Sequence, residues 1–329
     1  MRSGVPTGSP RGGRAPDGFA SMPGCPRRLT QRVHESPRST TRRNAGSPPR
    51  RSGGPRPPSA PLLSRNLRAL SLVETARHDG VALITLNNPP ANAYSHEMHR
   101  ELDAAILDAR FDEKVHVIVL TGAGEKFFCA GADIEMLERV TPEWKYYFCL
   151  HANETLNRLE QTPKLVVAAL NGHTVGGGLE VALAADLRWA KTNGGKLGLP
   201  EVALGVLPGT GGTARLSRML GRSKAIELMT SGGNMSFDDA QTLGLVNELL
   251  PAENFLDAVI EKAQQYCPPH KASMAVGHIK RSVVSGLEMS FESHLSLERE
   301  LQQQLFKSAD AKEGFAAFNE KRKPKFEGR

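Results

Sequence analysis

The chain has 329 residues and a net charge of +7, but that charge is unevenly placed: residues 1–68 carry 14 arginines against Asp17 and Glu35, whereas residues 69–329 carry 28 basic and 33 acidic side chains. No run of about 18 apolar residues occurs, which excludes a membrane-spanning helix from the sequence pattern. Cys25, Cys129, Cys149 and Cys267 show neither CxxC nor CxxH spacing, which argues against a zinc centre or a disulfide framework and for a reducing compartment.

Residues 1–68 also hold 12 of the 22 prolines and 9 of the 32 glycines, with few large apolar side chains. Such a segment buries too little surface to offset its ordering entropy and is predicted to be disordered. Its richness in Arg and Ser and its lack of acids fit a transit peptide, although only LLSRNLRALSLVE (62–74) could form a short amphipathic helix. Arginines of this kind can also meet nucleic-acid phosphates, but the aromatic residues that would stack on bases are missing, and nucleic acid is not an expected partner. The third reading is a non-functional extension, with Met22 or a later position as the start. The expected location is the cytoplasm, or the mitochondrial matrix if the segment is a transit peptide.

From residue 72 the texture changes. GVALITLN (80–87), VHVIVLTG (115–122) and KLVVAALNG (164–172) are short, nearly continuous apolar runs ending in Gly or Asn, as strands buried on both faces read. Between them, 96–112 and 142–161 have helical patterns. Strands alternating with helices imply parallel pairing, with loops gathered at one edge of the sheet. After Asn171 the pattern is helical, over 177–187, 212–221, 223–230, 236–245, 253–267, 272–285 and 291–308, and a basic helix over 315–326 ends before Pro324. The expected organisation is a tail over 1–68, an α/β core over 72–260 and a helical region over 261–329.

Three stretches carry the chemistry. FFCAGADIEML (127–137) follows the strand at 115–122, LNGHTVGGGLEVALAADL (170–187) follows the strand at 164–172, and LPEVALGVLPGTGGTARL (199–216) comes third. In a parallel sheet the first two loops converge, bringing the backbone near Ala132 towards residues 176–178 at a helix start. Free N–H groups there suit negative charge, and glycine permits close approach because it has no Cβ. Two amides from separate loops aimed at one point form an oxyanion hole; the competing reading is that the glycines only let the helix pack closely on the sheet. Glu180 stands in apolar company behind these glycines, where an unpaired charge is costly, and Glu201 follows Pro200 between apolar neighbours. Such a pair suits general acid–base catalysis, or else comprises a helix-capping Glu180 and a surface Glu201.

In order and at nearly family spacing, FCAGADIEML, LNGHTVGGGLEVALAADLRWA, LPEVALGVLPGTGGTARLSRMLG and EGFAAFNEKRKPKF resemble the crotonase, or enoyl-CoA hydratase/isomerase, superfamily, from about Leu72 to Phe326 and most closely the enoyl-CoA hydratases. The resemblance implies an α/β fold with a ββα spiral core and a C-terminal helical trimerisation region. It also implies an acyl-CoA thioester substrate, a homotrimer or homohexamer, and no metal or cofactor beyond the coenzyme A carried by the substrate. It assigns the N–H groups of Ala132 and Gly177 to the thioester oxygen. Glu180 and Glu201 would hold a water and add it across the α,β double bond of a trans-2-enoyl-CoA, with Glu201 giving the proton to Cα. This places the chain in fatty-acid or branched-chain acyl degradation; isomerisation of the double bond is the alternative within the superfamily, and RNA binding through the basic tail the alternative outside it. Ala130, Asp133, Ile134, Glu135 and Lys321 are the implied substrate-binding residues. Two departures stand out. Glu201 follows Glu180 by 21 residues where the family usually has 20, an extra residue assigned to TNGG (192–195), and Glu135 stands where many relatives carry Lys.

Overall fold

Val73–His78 (β1) and Val81–Leu86 (β2) fold back on each other through Asp79 and Gly80, which take positive φ of 35° and 89°. They belong to a computed structural model that describes residues 71–329; the tail expected over 1–68 and most of the helix considered for 62–74 lie outside the described residues. His96–Phe111 (α1) begins at Ser95, whose hydroxyl accepts from the Met98 amide. Val117–Gly122 (β3) is buried at every position, and a short Phe127–Cys129 (β4) follows. Ile134–Arg139 (α2) and Pro142–Glu160 (α3) come next, capped by Asp133 and Thr141. Leu165–Leu170 (β5), again buried throughout, leads to His173–Val175 (β6) and Gly177–Leu183 (α4). Leu187–Lys191 (β7), Lys196–Gly198 (β8) and a 3-10 turn, Glu201–Leu204, precede Gly212–Leu220 (α5) and Arg222–Ser231 (α6).

Asn234–Ser236 (β9), Phe237–Thr242 (α7), Glu248–Leu250 (β10) and Phe255–Gln264 (α8) close this part of the chain. Ser273–Gly286 (α9), Phe291–Phe306 (α10) and Ala309–Asn319 (α11) form the C-terminal helices.

Two sheets result. The larger runs β1-β2-β3-β5-β7-β10, parallel except for the β1–β2 hairpin, and the smaller runs β4-β6-β8-β9. Each β-β-α unit thus contributes its first strand to one sheet and its second to the other: β3 with β4, β5 with β6, β7 with β8. Alternation along the strands fills two apolar layers. Ile118, Leu120, Val166 and Ala168 join α1, α3 and α4 in one, while Val117, Val119, Val167 and Ala169 pack with Val259 and Ala263 of α8 in the other. The buried Asn171 side chain fixes the crossing between sheets: its amide donates to the carbonyls of Gly122 (2.9 Å) and Gly124 (2.7 Å), and its Oδ1 accepts from the Gly122 amide (3.1 Å). It therefore ties the β3–β4 connection to the β5–β6 connection.

The α/β spiral with C-terminal helices is as expected, but several boundaries differ. The helix expected over 177–187 ends at Leu183, and Leu187 starts a strand paired with β5. The apolar run through Ala185 hides that break; just beyond it, Asp186 accepts from the Val166 amide of β5 at 2.7 Å. The segment after Asn171 is not all helical: β6 to β10 lie within it, mostly three residues long and too short to show a period. The basic helix expected over 315–326 is instead α11, which ends at Asn319; Lys321 beyond it takes a left-handed φ of 54°.

Candidate active site

After β4 the chain turns at Gly131, whose φ of 97° favours glycine. The Tyr94 amide donates to Gly131 O (2.9 Å) and the Asp133 amide donates to Tyr94 O (3.0 Å), so residue 94 brackets Ala132. The Ala132 N–H has no acceptor among the described residues. Gly177 is the first residue of α4, so its N–H also lacks an intrahelical acceptor. The two loops touch: a Cβ on Gly131 would lie 3.1 Å from Gly177 N. Gly177 itself must lack a side chain, because a Cβ there would stand 2.0 Å from the Tyr94 hydroxyl oxygen. Both residues line one cavity of about 380 Å³.

Two carboxylates share that cavity in contrasting surroundings. Glu180, 2% exposed, is saturated with donors: Oε1 accepts from the amides of Thr210 (2.8 Å) and Gly212 (2.7 Å), and Oε2 accepts from the Thr210 hydroxyl. Glu201, half-buried on the 3-10 turn, has an Oε2 that is buried without a partner among the described residues. Burial pushes its carboxyl up from 4.5 to about 7; the nearby Glu180 charge adds to the rise, while Glu201's own backbone hydrogen bond and Lys145 oppose it. Its Oε1 reaches the glycine loop, 3.1 Å from where a Cβ on Gly176 would stand. Ile134, Leu137, Val140, Leu204, Val206 and Leu207 supply apolar walls, and Lys145 is the cation among the lining residues. The arrangement suits an apolar chain carrying one oxygen that gains negative charge.

Of the residues singled out from the sequence, Ala130, Ala132, Ile134, Gly177, Glu180 and Glu201 line the cavity. Asp133, Glu135 and Lys321 do not. Asp133 caps α2 by accepting from Met136 N (3.2 Å), Glu135 faces solvent beside Arg139 (3.4 Å), and Lys321 is exposed past α11. Tyr94, just before α1, also lines the cavity. Tyr94, Lys145 and Thr210 were not anticipated; Thr210 lies 30 residues from its partner Glu180, with no spacing rule to join them.

A second cavity of about 710 Å³ lies among α9–α11, lined by Met274, Leu305, Phe315 and Phe318. Its carboxylate, Asp310, is already occupied by the amides of Glu327 (2.7 Å) and Gly328 (2.9 Å). Among the described residues, no helix is long and apolar enough to cross a membrane, and no group of three or more His, Cys, Asp or Glu could hold a metal ion.

A paired-loop amide site beside two acids, on a β-β-α spiral, defines a crotonase-type enzyme. The sequence profile of the enoyl-CoA hydratase/isomerase family matches residues 76–329, and the chain belongs to that family. It is 39% identical over 245 residues to the short-chain-enoyl-CoA hydratase of Clostridium acetobutylicum, covering 74% of this chain and 92% of that protein. It is 36% identical over 264 residues to the mitochondrial enoyl-CoA hydratase of Pongo abelii, covering 79% of this chain and 88% of the other. The crystal structure of an enoyl-CoA hydratase from Geobacillus kaustophilus HTA426 superposes with a TM-score of 0.76 at 43% identity, covering 79% of this chain and 97% of that one.

Proposed function

We propose that the chain hydrates a trans-2-enoyl-CoA, using Glu180 and Glu201 on one water and the amides of Ala132 and Gly177 on the thioester oxygen. The supporting observation is the contrast between the two acids. Three donors hold the Glu180 carboxylate in a fixed orientation, whereas Glu201 is desolvated and its carboxyl is pushed up to about 7. Glu180 takes a proton from water as its oxygen bonds to Cβ. The π electrons move towards Cα and the thioester oxygen, where the two amides meet the developing charge. The Glu201 proton then passes to Cα, and exchange with solvent resets both acids. Coenzyme A enters and leaves as part of the substrate, and the steps above call on no metal or other cofactor. We infer a homotrimer or pair of trimers, in keeping with the exposed Ile279 and Val283 on α9, Leu287 just after it and Phe291 at the start of α10.

Crotonyl-CoA mixed with the purified chain should lose its enoyl absorbance and yield the 3-hydroxyacyl thioester. Glu180→Gln and Glu201→Gln should each lower kcat by about 10²–10⁴-fold, the range of one general acid or base. A shifted double bond in place of the hydroxy product would overturn hydration in favour of isomerisation, and undiminished rates in both variants would overturn the roles.

A further inference from the structure

Tyr94 meets both amide loops and, through Thr210, Glu180, without being an acid, a base or an amide donor. Its backbone brackets Ala132, its phenol lies against Gly177, and its hydroxyl is 3.3 Å from Thr210 Oγ1, which in turn bonds Glu180 Oε2. The phenol is 3% exposed. Its ring is held edge-on to His99 (centroids 4.5 Å apart) and stacked near Phe148 (6.0 Å). Thr210 has one hydroxyl proton. If that proton goes to the Glu180 carboxylate, Thr210 can only accept from Tyr94, so the chain runs Tyr94 O–H to Thr210 O–H to Glu180. Burial, and next the Glu180 charge, push the Tyr94 phenol well above its ordinary value, which keeps the first proton in place.

We propose that Tyr94 and Thr210 are positioning residues, a hydroxyl relay that fixes Glu180 Oε2 relative to the amides of Ala132 and Gly177 and so registers the attacking water against the polarised thioester. The proposal rests on the hydration reading above. The relay stabilises a geometry used in the transition state rather than in substrate binding, so its loss falls on kcat.

The experiment compares the wild type with Tyr94→Phe, Thr210→Val, Thr210→Ser and the Tyr94→Phe/Thr210→Val double variant, with crotonyl-CoA as probe. Thr210→Val keeps the backbone amide to Oε1 but removes the hydroxyl on Oε2, and kcat should fall about 10- to 100-fold, as for a lost hydrogen bond to a charged group. Tyr94→Phe keeps the ring under Gly177 and should lower kcat about 3- to 10-fold, as for a neutral hydrogen bond. KM should change less than twofold in both. Thr210→Ser should restore most of the rate. The double variant should be no slower than Thr210→Val alone, because the relay passes through Thr210. Multiplying defects, unchanged kcat in Tyr94→Phe, failure of Ser to rescue, or losses that follow thermal stability would overturn the relay while leaving hydration intact. A wild type without hydratase activity would instead overturn the reading on which the relay rests.

Discussion

The raised Glu201 carboxyl makes a prediction about stability as well as rate. A group that ionises at 4.5 when exposed and at about 7 when folded binds its proton more tightly in the native state. The contribution is complete below about pH 4.5 and is lost as pH rises through about 7, so stability declines across that window. At about 1.36 kcal/mol per pH unit the full effect is about 3 kcal/mol, and because Glu201 is only half-buried, solvent screening reduces it to roughly 1–2 kcal/mol. Glu201→Gln keeps the shape and cannot ionise. Its stability relative to the wild type should therefore improve by roughly 1–2 kcal/mol between pH 4.5 and pH 8. Urea unfolding at a series of pH values and fixed protein concentration measures this directly. In the same range wild-type kcat/KM for hydration should fall on the alkaline side with an apparent pKa of about 7. A variant-to-wild-type difference that stays flat from pH 4.5 to 8 would refute the burial account of Glu201.

Gly177→Ala should cripple the enzyme by about 10²–10³-fold in kcat and cost about 1–3 kcal/mol of stability. The new Cβ would meet the Tyr94 oxygen at 2.0 Å and ring carbons at 2.4 Å, and steady-state kinetics with a thermal melt check both effects. Lys280→Met should destabilise the chain by about 3–5 kcal/mol. It strands Asp186, whose Oδ2 lies 2.8 Å from Lys280 Nζ in a pair that is 5% and 16% exposed. Urea unfolding tests this, and adding Asp186→Leu should recover part of the loss.

How far the sequence disclosed the molecule follows from the length of each signal. β3 and β5 are six-residue apolar runs buried on both faces, and their composition identifies them. β4, β6 and β8 are three residues each, so the smaller sheet left no readable period. β7 carries Arg188 and Lys191, which look solvent-exposed in a linear pattern. Both are buried because Leu245 and Ala185 carbonyls accept from Arg188 and Glu125 meets Lys191 at 2.9 Å, partners set only by folding. In the site, the acids and glycines were legible because a charge in an apolar run and a glycine triplet are conspicuous. Tyr94 and Thr210 were not, since a tyrosine or threonine beside a turn is ordinary until the chain brings it to Glu180.

The cavity's walls and its amide donors are anchored by different means. α2 has no fully buried residue, yet Ile134 and Leu137 from it, with Val140 just beyond, line the cavity. Ala132, by contrast, is held by backbone pairing of its neighbours to residue 94, and Gly177 by its place at the start of α4, packed against the Tyr94 phenol. On the proposed hydration reading, replacing Leu137 or Val140 with smaller or larger aliphatics should therefore shift acyl-chain preference while leaving the backbone around Ala132 and Gly177 in place.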